Sequence, residues 1–161
     1  NAHVDCYTGK ERYNGYTQAL RDHGLSRDDD LVKLADYQKE NVYSHAEELF
    51  ECDEKPDAIF TTDLFTTLRT FKTLKDMGLR VPGDVALAGF DDLSIGSQRV
   101  DLLDVVSLPI TCVRQPVYQL GKTAAELLLQ KMEKGDQSDR GRYTKTLLKT
   151  ELIVRESSQA R

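Results

Sequence analysis

Six consecutive residues, Val85-Ala86-Leu87-Ala88-Gly89-Phe90, carry no polar side chain, and they are fenced by Pro82-Gly83-Asp84 before and Asp91-Asp92 after. A strand with one wet face alternates apolar and polar residues. One that is apolar throughout is covered on both faces, as in a parallel sheet between helices. The rest of the chain is compatible with such a sheet. After the turn at Pro56-Asp57, Ala58-Ile59-Phe60-Thr61-Thr62 repeats the pattern, and Ile110 to Val113 gives a third short strand. Between them lie helical patterns with recognisable stops. Glu11 to His23 carries Tyr13, Tyr16 and Leu20 at helical spacing before Gly24, and Leu64, Leu68, Phe71 and Leu74 form one stripe ending at Gly78.

Further elements complete the alternation. Leu31, Val32 and Leu34 suggest a strand ending near Asp36 and Tyr37, followed by a helix with Val42, Ala46, Leu49 and Phe50 on one face. A long helix is expected from Pro116 to Lys134, with Pro near its first turn and Gly135 past its end. Its apolar stripe of Val117, Leu120, Ala124, Leu127 and Leu128 is widened by Ala125, Leu129 and Met132, more than a half-solvated helix requires. That helix is expected to dock on something outside this chain. A final strand, Leu147 to Val154, alternates. The order α-β-α-β-α-β-β-α-β predicts an α/β fold with an open parallel sheet and helices on both faces. Such a sheet calls for a strand before the first helix, so the chain is expected to begin just after it, inside the fold.

The 161 residues fit one compact unit, and 22 Lys and Arg against 27 Asp and Glu leave a net charge of −5, the wrong sign for gripping a phosphate backbone unaided. Cys6, Cys52 and Cys112 are an odd, widely separated set, which offers neither a disulfide framework nor a metal knuckle and fits a reducing cytoplasm. Neither a membrane span nor a signal segment is legible. His3, His23 and His45 have no partner at ligand spacing and read as surface residues. Dinucleotide, phosphate-loop, nucleophile-elbow and zinc-protease motifs are absent from the sequence. No cofactor, metal or catalytic residue is expected.

In open α/β sheets ligands bind beyond the carboxyl ends of the strands. The predicted elements bring Tyr37 (with Asp36), Thr62, Asp63 and Asp91 (with Asp92) to that rim, and Arg12 to the first turn of the first helix. Carboxylates accept from paired hydroxyls, Arg donates in a fork, and an aromatic ring covers the apolar face of a pyranose, a set suited to a polyhydroxylated ligand. Two other assignments compete. Asp63 could serve only as a helix cap, and Asp91-Asp92 could hold Mg²⁺ if further carboxylates shared the rim.

Several stretches together resemble a known family. Glu11-Arg12-Tyr13-Asn14-Gly15-Tyr16, Pro56-Asp57-Ala58-Ile59-Phe60 with Asp63, and Val81-Pro82-Gly83-Asp84-Val85 running into Gly89-Phe90-Asp91-Asp92 look like the effector-binding region of lactose/galactose repressor-type regulators. Leu108-Pro109-Ile110-Thr111, Gln115-Pro116, Leu120-Gly121 and the closing Glu151-Leu152-Ile153-Val154-Arg155-Glu156-Ser157 are similar in order and spacing. The resemblance implies a periplasmic binding protein-like fold of type I, present here as a partial domain. Residues 1–114 would form the C-terminal subdomain without its opening strand. Residues 115–146 would be a crossover helix belonging with the N-terminal subdomain, and 147–161 the returning strand and tail. It further implies that Arg12, Tyr37, Asp63 and Asp91 face a carbohydrate effector and that Gln115 lies at the crossover. Thr62 stands where Asn is frequent. Operator DNA would be bound by a helix-turn-helix headpiece outside this chain, in a homodimer contacting through the third helix and the loop after Asp92. A sugar-binding protein of a transport system shares the fold and is the alternative, as is, on a similar sheet, an Asp-dependent phosphotransfer enzyme.

Overall fold

The computed structural model describes residues 7–34, 42–52, 54–92, 108–133 and 145–159. The elements are α1 (Tyr7–Asp22), α2 (Val42–Glu48), β1 (Ala58–Phe60), α3 (Leu64–Asp76), β2 (Ala86–Phe90), β3 (Thr111–Arg114), α4 (Val117–Glu133) and β4 (Glu151–Ile153), closed by a 3-10 turn at Glu156–Ser158. Among the described residues they build one sheet in the order β1-β2-β3-β4. The first three strands run parallel, with Ile59 opposite Leu87 and Gly89 opposite Cys112. The fold is the expected α/β open sheet.

Two details differ from expectation. β4 pairs antiparallel to β3, with Val113 opposite Leu152, so the sheet is mixed. Alternation such as that of 147–154 is what an edge strand with a wet face shows, and it is blind to strand direction. Leu31–Leu34, expected as a strand, is a turn and irregular chain, tied by the Val32 N–H to the Asp29 carbonyl. Leu31 nonetheless packs on the core. Its apolar character came from burial, not from a ladder.

The core lies between α3, α2 and the first two strands: Leu49, Ile59, Phe71, Leu74, Val85, Leu87 and Ile110 form one cluster. α3 buries seven residues, four of them Thr. Two of those four satisfy their hydroxyls on backbone oxygens a turn earlier, Thr67 on Asp63 and Thr73 on Arg69. Close approach of α3 to β2 depends on Gly89, because a Cβ there would lie 2.5 Å from Thr67 Oγ1. α3 stops where Gly78 takes a left-handed φ of 76°. α4 is the opposite case: all 17 residues form a regular helix, and none of them is buried.

Candidate functional site

The carboxyl ends of β2 and β3 form the centre of the site. Their ladder ends at Phe90 opposite Val113, and the Asp91 N–H reaches the Val113 carbonyl at 3.0 Å. Asp91 then turns with φ 73°, a left-handed conformation rare outside glycine that Asp tolerates better than most residues. Strain of that kind concentrates at functional sites. The turn leaves Asp91 half-buried, its Oδ1 accepting from Gln115 Nε2 at 2.5 Å. Oδ2 keeps its acceptor capacity.

Arg12 reaches the same end of the sheet from α1. Its guanidinium carbon lies 3.8 Å from the centroid of the Phe90 ring, and Nη1 donates to the Thr62 carbonyl at 2.6 Å. The Thr61 N–H faces β2, bonding the Ala88 carbonyl, so the Thr62 carbonyl points to the outer edge of β1, where Arg12 meets it. Thr62 therefore contributes to this corner through its backbone, and its side chain is buried. Beside it runs a cavity of about 340 Å³ along β1, lined by Arg12, Tyr13, Tyr16, Ile59 and Thr62 among others. His45 also lines it, with Nδ1 buried and without a hydrogen-bond partner, so it is no surface histidine.

Asp63 is a helix cap. It precedes α3 in extended backbone, accepts from the Thr66 N–H at 2.9 Å and from Thr66 Oγ1 at 2.6 Å. The structure thus brings Asp91 and Gln115 together, joins Arg12 to Thr62 and Phe90 nearby, and engages Asp63 in capping. Tyr37 lies outside the described residues.

Asp92 departs most from its sequence reading. Expected beside Asp91 at the open rim, its side chain is fully buried and Oδ2 accepts from Arg114 Nε (2.7 Å), Arg114 Nη2 (2.5 Å) and Arg155 Nη2 (2.9 Å). That hydrogen bond to Asp92 holds the Arg155 pKa above its ordinary value. Burial, with the Asp92 charge adding to it, pushes the neighbouring Cys112 thiol up. Arg114 and Arg155 are neighbours of the candidate site that local sequence patterns did not single out. The signal was available only once β2 and β3 were set side by side, which brings Arg114 diagonally within reach of Asp92. Among the described residues no group of three or more His, Cys, Asp or Glu could hold a metal ion.

Comparison with known proteins bears on the family and the fold. The profile of the periplasmic binding protein-like domain family matches residues 1–158. The transcriptional regulator CelR of Thermobifida fusca is 31% identical over 153 residues, covering 95% of this chain and 42% of CelR. The transcriptional repressor CytR of Escherichia coli K12 is 30% identical over 164 residues, covering 98% of this chain and 45% of CytR. The chain thus spans under half the length of these relatives, which are transcriptional regulators and not enzymes. A solved CelR–cellobiose complex superimposes with a TM-score of 0.79 at 29% identity, covering 98% of this chain and 45% of that one. Fold and similarity together establish that this chain belongs to the periplasmic binding protein-like domain family, in the form found in lactose/galactose repressor-type transcriptional regulators.

Proposed function

We propose that this chain binds a carbohydrate effector at the carboxyl ends of β2 and β3 and that, in the whole regulator, binding there controls operator recognition by a helix-turn-helix headpiece. The observation that carries the reading is Asp91, held in a left-handed turn at the strand ends with one carboxylate oxygen on Gln115 and the other available. An ionised carboxylate is an acceptor only, so it suits paired sugar hydroxyls. Arg12, stacked on Phe90, adds a fork of donors and balances the charge. Tyr37 and Asp63 are proposed as further rim residues, Asp63 through lone pairs beyond those used in capping. The CelR–cellobiose complex makes a β-linked disaccharide the first candidate.

Residues 1–114 then form the C-terminal subdomain, 115–146 the crossover helix, and 147–161 the returning strand. The bare apolar face of α4, with Val117, Leu128, Leu129 and Met132 all more than half exposed, is the face that the N-terminal subdomain covers. An effector that prefers one closure state of the two subdomains shifts the population toward it. The active form is a cytoplasmic homodimer. Leu68 and Phe71 are buried in this chain, so a dimer contact on α3 uses its outer face at Phe65.

The test is a titration of the ¹⁵N-labelled chain with cellobiose, glucose, galactose and ribose. Saturable shifts at Asp91, Gln115 and Arg12 for at least one sugar are expected. Replacing Asp91 by Asn swaps an acceptor for a donor and is expected to weaken binding by about 1.5–3 kcal/mol. Shifts confined to other surfaces, or a complete lack of response to all four sugars, contradict the reading.

A further inference from the structure

The β2–β3 ladder does not set the position of Gln115. Its last backbone bond is the one from Asp91 to Val113, and beyond it Asp91 turns left-handed while Pro116 has no N–H to give. Beyond that point the two chains are tied by side chains, in two contacts that cross each other. Asp91 pairs with Gln115, both half-buried, and the buried Asp92 pairs with the partly exposed Arg114. The second pair is the firmer one. Asp92 is shut off from solvent, and a buried carboxylate must keep its charge partners. Arg114 grips it through two nitrogens, a geometry a flexible ammonium cannot reproduce.

Arg155 completes the anchor from the returning chain. Besides Asp92, its guanidinium reaches the Ile110 carbonyl at 2.8 Å, and its backbone N–H bonds Thr111 Oγ1 at 2.8 Å. Glu151 Oε2 stands 3.8 Å from Arg114 Nη1 on the outer side. One carboxylate thus ties the chain where it leaves β3 and where it comes back after β4.

We infer that Asp92 is a positioning residue for the effector site: by holding Arg114 it keeps the adjacent Gln115 within hydrogen-bond reach of Asp91. This deepens the proposed function and rests on its reading of Asp91 and Gln115. Asp92 touches no ligand itself, and its influence passes through one peptide unit.

The decisive readout is the side-chain amide signal of Gln115 in the ¹⁵N spectrum of the whole chain, because that signal reports the bond to Asp91 without any ligand. Arg114→Lys keeps the charge and loses the fork. It is expected to move the Gln115 amide to the position of a free glutamine. Arg155→Lys also removes a bond to Asp92 but lies on the other strand, and is expected to lower the thermal midpoint while leaving the Gln115 signal in place. Asp92→Asn is expected to do both, and if it fails to fold the two Lys variants decide. Should Arg114→Lys and Arg155→Lys both lower the midpoint and both leave Gln115 unmoved, the inference is overturned and Asp92 is only a structural ion pair. With cellobiose as probe, Arg114→Lys is expected to weaken binding about tenfold, the scale of one hydrogen bond. A wild-type chain in which sugars shift neither Asp91 nor Gln115 removes the effector reading, while the Gln115 signal in the variants still tests the coupling to Asp92 independently.

Discussion

α3 and α4 have much in common as sequences. Both are amphipathic, both follow a strand end, and both end in a lysine-bearing last turn. Yet α3 buries seven residues and α4 none. The difference lies in what surrounds them. α3 faces β2 and α2 within this chain, whereas the wide stripe of α4 has no counterpart among the described residues. Amphipathicity tells that a helix needs a partner and says nothing about whether the same polypeptide supplies it.

The sharpest way to break this contrast is to cut a side chain from the α3 core. Leu74→Ala, at a position with no solvent exposure, is expected to lower unfolding free energy by about 2–5 kcal/mol in denaturant titrations. A loss below 1 kcal/mol would mean that the α3 side is as loosely held as α4. Next is Ser157, fully buried in the closing turn, which donates to the Leu87 carbonyl at 2.6 Å and accepts from the Thr111 N–H at 2.8 Å. Ser157→Ala leaves both groups unsatisfied and is expected to remove about 1–3 kcal/mol. Asp63→Ala tests the cap of α3 and is expected to remove about 1 kcal/mol. A smaller loss accompanied by weakened sugar binding would move Asp63 from the cap to the ligand.

A pH effect comes from the turn joining α3 to β2. The Arg80 guanidinium and backbone N–H hold the Asp84 carboxyl down at about 2, below its ordinary 3.8. A depressed carboxylate stabilises the fold above the unfolded value, and that contribution fades as pH falls from 3.8 through 2. The pair is exposed, so a shallow acid limb is expected in wild-type melts and none of that component in Asp84→Asn. The smallest effect belongs to α4. Leu128→Lys, at a side chain 61% exposed, is expected to change stability by less than about 0.5 kcal/mol while suppressing self-association in sedimentation. A large stability loss there would show that α4 is packed after all.

Much of this was legible from local pattern. The apolar run at 85–90, the stripe from Leu64 to Leu74 and the Gly78 stop carry their structural meaning within a few residues, and β2 and α3 formed as read. Cys112, inside the third apolar run at 110–113, is buried. The failures share a cause. Leu31–Leu34 has strand-like composition, but a strand exists only with a neighbour. The direction of β4 leaves no trace in an alternating pattern. The Asp92 clasp joins residues 22 and 63 positions apart, a pairing that only the assembled sheet reveals. At the candidate site, counting strand ends was enough to bring Asp91 and Thr62 to one rim and only the family resemblance pointed to Gln115, whereas the contact of Arg12 with the Thr62 carbonyl has no local signature.

The placement of Arg12 has a thermodynamic consequence. A long, charged side chain that is free before binding must give up rotamer freedom when a ligand captures it, at about 0.5–1.5 kcal/mol. Arg12 has already surrendered that freedom to the Phe90 ring and the Thr62 carbonyl. Its remaining donors wait in a fixed orientation, so a ligand that met them would lose less affinity to ordering, and under the proposed function discrimination between two sugars would fall to where their hydroxyls lie rather than to how well the arginine can adapt.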